Sequence, residues 1–324
     1  MLIQNSPLSS PPSTLGQHGK APAQKAARTS PLDENQTCLS LAPGASNLSI
    51  MTSASDWQGG VGRNWAAEWE RTDRSFAALT PGLLQAIEVE PGSRIVDIGC
   101  GAGELAIAVA RARPSAHVTG VDISADLIEA AMERVGEQRN LGFTLADAGR
   151  WIAPGGAPEL FISRHGVMFF KDPPAAFAHL SQSAARGARL VFSCFRTVQE
   201  NTWATEIRRL LPPAVPLPAE VFAPGPFAFA DPEHVRGCMK GWRDVTFTKL
   251  DFAYVVGTGT HPVVDALTFL SRIGPAAAAI RTLPESARAA FERDLLALVQ
   301  SRHVDGRVCF PAAAWLVSAS ADNA

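Results

Sequence analysis

The sequence predicts a doubly wound α/β fold, with a mostly parallel sheet covered by helices on both faces. Short apolar strands alternate with amphipathic helices between positions 94 and 195. A glycine-rich turn stands where the first of those strands gives way to its helix, and the acids Asp122 and Asp147 close the next two strands. Alternation at that pitch builds parallel sheets, because each parallel pair needs a crossover, usually a helix, between its strands.

Each element follows from its local pattern. Trp57, Trp65, Trp69 and Phe76 fall in a stretch that reads as a helix or two, and a further helix opens at Thr80-Pro81, with Thr as N-cap and Pro at the first helical position. Arg94–Ile98 is a short apolar strand, and Leu105–Arg113 is a helix stopped by Pro114. His117–Val121 is the next strand. Ser124 then caps a helix whose apolar face is Leu127, Ile128, Ala131, Met132 and Val135. Phe143–Leu145 and Leu160–Ser163 are strands three and four. Pro173 opens a helix through Leu180, and Arg189–Phe195 is the fifth strand. After Leu211 the pattern breaks into prolines (Pro212, Pro213, Pro216, Pro218, Pro224, Pro226) mixed with Phe222, Phe227 and Phe229, so 197–242 reads as a cap-like insertion. A strand over Val245–Val256 follows, with Val245, Phe247, Lys249 and Asp251 on one face. Helices over Pro262–Arg272 and Glu285–Arg302 lead to a final strand over Arg307–Ala319.

The first fifty residues differ. Ser, Pro, Gly, Gln and Asn dominate 1–50 without aromatic or periodic apolar pattern, which predicts a disordered extension, because too little apolar surface offsets the ordering entropy. The segment has no secretory apolar region, and the folded domain is expected over 51–324, with Met51 as an alternative start. The five cysteines, Cys38, Cys100, Cys194, Cys238 and Cys309, are scattered without CxxC or Cys/His spacing, which argues against a disulfide framework and a metal site. A net charge of -2 without a basic run argues against a nucleic-acid surface, and no stretch approaches the roughly 20 apolar residues of a membrane span. A cytoplasmic location is the expectation.

The stretch that carries chemistry is Asp97-Ile-Gly99-Cys100-Gly101-Ala-Gly103-Glu104. Glycines there let the backbone turn sharply and approach a ligand without a Cβ in the way. A dinucleotide fingerprint would need glycine where Glu104 stands, and an acid in the first turn opposes a pyrophosphate at that helix end. The ligand is expected to be a nucleoside bearing a cationic group. Asp122, followed by Ile123, can accept both ribose hydroxyls, and Asp147, followed by Ala148, can accept from an exocyclic amine of a base.

This constellation resembles the class I S-adenosylmethionine-dependent methyltransferases. Asp97 to Gly103 is similar to their first motif, Asp122 to their ribose-binding acid, and Asp147-Ala148 to their adenine-side motif. Phe161-Ile-Ser-Arg164-His165-Gly-Val-Met-Phe-Phe-Lys-Asp-Pro173 is similar to the fourth-strand motif of a bacterial small-molecule branch; further matches are the Trp57–Trp65 segment, Cys194-Phe-Arg196 with Asn201-Thr-Trp203, and the ending Ala312-Ala-Ala-Trp315-Leu-Val. The resemblance implies a Rossmann-like sheet of seven strands with the last antiparallel to its neighbours. It also implies S-adenosylmethionine as cofactor, held by Asp97, Gly99, Cys100, Gly101, Gly103, Asp122, Ile123, Asp147, Ala148 and Arg164. The chain departs from the pattern at Ala185-Arg186-Gly187-Ala188, where Pro-Gly-Gly is common, and at His165, where an aromatic residue is common.

A small-molecule methyl acceptor, apolar or aromatic, fits the Phe-rich insertion and the absence of an Asp/Asn-Pro-Pro-aromatic motif. His165 is the candidate general base, against a packing role, since histidine exchanges its proton near neutral pH. Trp65, Trp203, Phe227 and Trp242 read as core rather than pocket. A second reading, a non-catalytic sensor or scaffold that binds the same cofactor, needs the same loop and acids; a blocked cleft around Arg164–Met168 would favour it. A nicotinamide oxidoreductase is disfavoured by Glu104.

Overall fold

The computed structural model describes residues 53–212 and 222–323. The expected extension over 1–50, the Met51 start, and Pro213, Pro216 and Pro218 of the insertion lie outside the described residues. Helices α1 (Ala54–Trp57), α2 (Gly60–Ala67), α3 (Trp69–Phe76) and α4 (Thr80–Glu88) precede the sheet. The sheet then alternates with helices: β1 (Arg94–Ile98), α5 (Glu104–Ala112), β2 (His117–Asp122), α6 (Ala125–Arg134), β3 (Leu141–Leu145), β4 (Leu160–Arg164), α7 (Pro173–Ser183) and β5 (Arg189–Phe195). The second half holds α8 (Thr202–Arg209), α9 (Pro232–Cys238), β6 (Trp242–Gly257), α10 (Pro262–Arg272), α11 (Pro275–Thr282), α12 (Glu285–Ser301), the short β7 (His303–Val304) and β8 (Arg307–Ala321).

The strand order is β3-β2-β1-β4-β5-β8-β6, with β7 paired to β8. Strands β1 to β5 pair parallel, and β8 enters between β5 and β6 antiparallel to both. That is the mostly parallel Rossmann-like sheet with an antiparallel last strand that the sequence implies, with the short β7 as an addition. The centre is apolar from β1, β4 and β5, whose residues Ile95, Ile98, Leu160, Phe161, Ile162, Leu190, Val191 and Phe192 are buried. Strands covered on both faces read as continuous apolar runs for that reason. The parallel register brings the carboxyl ends of β1, β2, β3 and β4 to one edge of the sheet, where doubly wound folds bind ligands.

Local details differ from the sequence reading. Thr80 does not cap α4: it lies inside the helix, after Leu79, and its hydroxyl donates to the Phe76 carbonyl at 3.1 Å. Helix α6 is capped as expected, Ser124 Oγ accepting from the Leu127 N–H, but Met132 is 60% exposed, so the buried face is narrower than the apolar pattern. Helix α11, an alanine-rich segment behind Gly274-Pro275, is an addition to the helices read from the sequence. Trp242 is core as expected, its ring N–H donating to the Phe177 carbonyl at 2.9 Å. Among the described residues no single helix is long and apolar enough to cross a membrane.

Candidate functional site

At the carboxyl edge of the sheet lies a cavity of about 250 Å³, lined by every residue proposed from the sequence except Gly103. Its floor is the β1–α5 turn. The Gly99 and Cys100 N–H groups donate to the Val121 carbonyl at 2.9 and 3.1 Å, which clamps the turn onto the end of β2. Gly101 has φ +54°, and a Cβ there would meet nothing within 4 Å. The turn therefore needs glycine for its left-handed backbone and leaves open space at that position. Gly103, at φ +85°, is excluded from the cavity because it serves packing: a Cβ would stand 2.6 Å from the Phe143 ring.

The acids sit around that space. Both oxygens of Asp97 lack a hydrogen-bond partner, and the residue is 1% exposed. Burial raises its proton affinity to about 8, with the Arg164 cation opposing and Asp122 adding to the rise. Asp122 accepts from Gly101 N–H and Ser124 N–H, both at 2.9 Å, one on each carboxylate oxygen. Each oxygen keeps a further lone pair for a ligand. Burial nonetheless raises its proton affinity, against those bonds. Asp147 is half-exposed at the end of β3 and accepts from the Gly149 N–H at 2.9 Å, while Ala148 and Ile123 line the wall beside it. The Cys100 thiol also lines the cavity, and burial followed by the neighbouring Asp122 pushes its ionisation well up, so it packs as an apolar group.

Arg164 reaches the cavity but its charge is already engaged. It pairs with Asp73 of α3 at 3.0 Å and with Glu104 of α5, and lies over the Phe76 ring. Asp73 also holds Arg134 of α6 at 2.6 Å. The cluster ties the helices before the sheet to the glycine turn. These ion pairs of Arg164 are largely buried.

The surroundings of His165 are those of a packed side chain. It is 6% exposed, packed on Phe76 and Phe195 with ring centroids at 4.9 and 4.3 Å, and its Nδ1 lies 2.9 Å from Ser193 Oγ. Burial, then the Arg164 cation, lowers its proton affinity to about 3. Its backbone is left-handed, φ +61°, held by its N–H donating to the Ser193 carbonyl at 3.0 Å. A non-glycine residue in that region carries strain that surrounding structure must hold, as happens at ligand sites.

Beyond His165 the cavity opens into an aromatic chamber. Phe76, Phe195, Trp203 and Tyr254 form its wall, with α10 and α11 adding Phe269, Leu270 and Pro275. Trp65 and Trp203 line the cavity while Trp203 also belongs to the buried core and Trp65 packs against it, as the sequence reading had them; Phe227 stacks behind Trp203 at 5.7 Å. Asp73, Thr72 and Tyr254 escaped the sequence reading altogether. The spacing of Trp57, Trp65 and Trp69 carried a signal for the first helices, whereas Tyr254 and α10 reach the site only through the tertiary fold.

The residues fit the implied cofactor on these grounds. An open glycine position, a buried carboxyl with both oxygens unpartnered and an anchored carboxylate with free lone pairs suit a nucleoside that carries a cation. Among the described residues no cluster of three or more His, Cys, Asp or Glu side chains could hold a metal ion.

Comparison with known proteins follows the geometry. A family model described as a methyltransferase domain matches residues 69–221. The trans-aconitate 2-methyltransferase of Afipia carboxidovorans is 27% identical over 231 residues, which is 67% of this chain and 85% of that one. The enzyme of the same name from Rhodopseudomonas palustris strain BisA53 is 38% identical over 99 residues, 30% of this chain and 38% of its own. Phosphoethanolamine N-methyltransferase 1 of Arabidopsis thaliana is 27% identical over 115 residues, 35% of this chain and 23% of its own. The chain thus spans most of the first relative and well under half of the other two. Among solved structures, phosphoethanolamine N-methyltransferase 2 of Haemonchus contortus in complex with S-adenosyl-L-methionine has a TM-score of 0.46 at 16% identity, covering 83% of this chain and 60% of that one.

Proposed function

We propose that this chain, which belongs to the class I S-adenosylmethionine-dependent methyltransferases, methylates a small molecule with a flat, apolar body. The observation that carries the reading is one continuous cavity with the acids and the open glycine turn at one end and aromatic side chains at the other. The cofactor supplies a methyl group on a cationic sulfur, which an acceptor atom takes by in-line displacement.

The chain's own residues bind and orient. Asp97 would hold the cationic end, Asp122 the ribose hydroxyls, and Asp147 with Ala148 and Ile123 the base. Gly99, Cys100 and Gly101 bring backbone close to the ligand. Arg164 would act through Asp73 and Glu104, keeping the helices before the sheet closed over the turn. Positioning a nucleophile in line with the methyl group removes much of the barrier, so no catalytic triad or metal is required.

The second reading, a sensor without catalysis, is disfavoured because the cavity runs past Arg164, His165, Gly166 and Met168 rather than ending there. The chamber also argues against a polyanion such as the trans-aconitate in one relative's name. Arg71, Arg74 and Arg272 beside it are paired with Glu68 and Asp265. Lys171 follows Phe170, whose ring lies by Gly149 at the Asp147 end. Lys171 lines the cavity as a single cation outside the ion pairs of the described residues, so most of a polyanion's charge would be buried without a partner and strongly destabilised.

Titration calorimetry tests the reading. S-adenosylmethionine and S-adenosylhomocysteine should bind in the micromolar range, Asp122→Ala should weaken both by about tenfold or more, and NADH should not bind. Binding of NADH alone, or of no ligand by folded protein, would sink it.

A further inference from the structure

We infer that the methyl acceptor presents an oxygen already anionic at neutral pH, gripped by two N–H donors of this chain, His165 Nε2 and Trp203 Nε1. The inference rests on the cofactor reading above and deepens it to a class of acceptor.

The tautomer of His165 follows from its surroundings. Ser193 is fully buried, and among the described residues its hydroxyl has only His165 Nδ1 within reach. A buried hydroxyl without an acceptor is costly, so the hydroxyl donates to Nδ1 and the ring proton sits on Nε2. The opposite tautomer would strand two groups instead of one. His165 Nε2 has no partner and the ring lines the cavity. With proton uptake pushed down to about 3, chiefly by burial, the imidazole stays neutral and presents an N–H donor. Trp203 repeats the arrangement: it is 5% exposed, lines the same cavity, and its Nε1 has no partner. Both rings pack on Phe195, at 4.3 and 5.3 Å.

The wall around these donors decides between acceptor types. Trp203 and Tyr254 stack at 5.5 Å, and Phe76 lies 5.9 Å from Phe195 and 5.5 Å from Tyr254. Rings at those separations touch one another and leave no gap for an ammonium group among them, so they form a platform rather than a cation cage. Two N–H donors also repel a cation and welcome an anion.

Charge balance points the same way. The sulfonium that gives up its methyl is positive, and an anionic oxygen brought up to it carries the opposite charge. Mutual neutralisation of the two is favoured in a water-poor site. The O–CH3 bond forms as the S–CH3 bond breaks, the electron pair of that bond stays on sulfur, and no proton has to leave the oxygen. No base is needed, in keeping with a histidine that is not basic. A carboxylate and the anion of an acidic enol share this chemistry.

The test uses the full chain loaded with S-adenosylhomocysteine and five bare-ring probes at pH 7: benzoate, 1-naphthoate, 2-hydroxy-1,4-naphthoquinone, 1-naphthol and 1-naphthylamine. The three ionised oxygen compounds should bind more tightly than the naphthol and the amine. Labelled-methyl turnover with S-adenosylmethionine then separates carboxylate from enol as the natural class. His165→Phe and Trp203→Phe should each weaken the anions by about tenfold while leaving S-adenosylhomocysteine affinity unchanged, and His165→Asn, which keeps an N–H, should recover part of the loss. Nitrogen-15 spectra of the imidazole should show an Nε2–H ring that does not titrate between pH 5 and 8. Tighter binding of the amine, anion affinities unmoved in both variants, or an Nδ1–H ring would overturn the proposal. Failure of the unmodified chain to bind S-adenosylhomocysteine would instead overturn the cofactor reading beneath it.

Discussion

At Asp97 a side chain essential to the proposed site works against the stability of the free protein. The unfolded carboxyl ionises near its ordinary value, whereas the folded one is raised to about 8, mostly by burial. Between these two values the folded state holds a proton that the unfolded state has released, so stability is full in acid and falls as pH rises toward 8. Denaturation at pH 5 and pH 8 should show a loss from this group on the order of 2–4 kcal/mol, and Asp97→Asn, which cannot ionise, should remove it. An identical pH slope in that variant would refute the assignment. The linkage to binding runs the other way. A cationic ligand favours the ionised carboxylate, so S-adenosylmethionine affinity should rise with pH up to about 8 in the native chain and be weak and flat in Asp97→Asn. The acid itself was legible in the sequence, because its place before a glycine turn at a strand end has few other uses. The neutral state of His165 was not. It depends on Phe76, Phe195, Ser193 and Arg164, and only Arg164 is its neighbour in the chain.

The turn between β1 and α5 shows how two glycines of one element divide packing and binding. Gly101 and Gly103 both have positive φ, at +54° and +85°, so alanine is strained at either. At Gly103 the added methyl also strikes the Phe143 ring and Ala131, while at Gly101 it enters empty space. Gly103→Ala should therefore lower stability by about 2–4 kcal/mol, seen as a fall in Tm, whereas Gly101→Ala should cost about 1 kcal/mol. Cofactor affinity should fall at least as far in Gly101→Ala, because its methyl occupies ligand space. Equal losses of stability in the two variants would show that the turn is not divided in this way. The sequence exposed this turn and most strands and helices because local spacing decides them. It misjudged the α4 start and the face of α6, and gave no sign of α11. Thr80 bonds back to Phe76, four residues before it, rather than capping α4, and Ala276, Ala277 and Ala279 of α11 are buried by tertiary packing.

Across the molecule, the chamber closes because the helices before the sheet are bolted to helix α10 late in the chain. Glu68, only 2% exposed, sits between α2 and α3 and receives Arg71 and Arg272, each at 2.6 Å. Asp265 of α10 receives Arg71 at 2.6 Å and Arg74 at 2.8 Å, and also accepts from the Thr258 N–H. Apart from Glu68–Arg71, these pairs join residues about 200 positions apart, so no local pattern could announce them, and the acceptor half of the site was correspondingly harder to read than the cofactor half. Removing one carboxylate from such a network strands buried cations, a loss of about 3–5 kcal/mol for a fully buried pair and less here because Arg272 is half exposed. Glu68→Gln, which keeps the shape and drops the charge, should then lower stability by about 1–3 kcal/mol. The two halves of the cavity should respond unequally. The glycine turn, Asp97 and Asp122 stand on the parallel sheet, so S-adenosylhomocysteine affinity should change by less than about threefold, a margin under 1 kcal/mol. The aromatic wall depends on α3 and α10 staying together, so acceptor affinity and kcat/KM should fall by about tenfold or more, the effect of misplacing a bound reactant. Equal losses in both halves would mean that the bolt supports the whole domain, whereas loss confined to the acceptor means that the chamber is a separately closed compartment built onto the cofactor site.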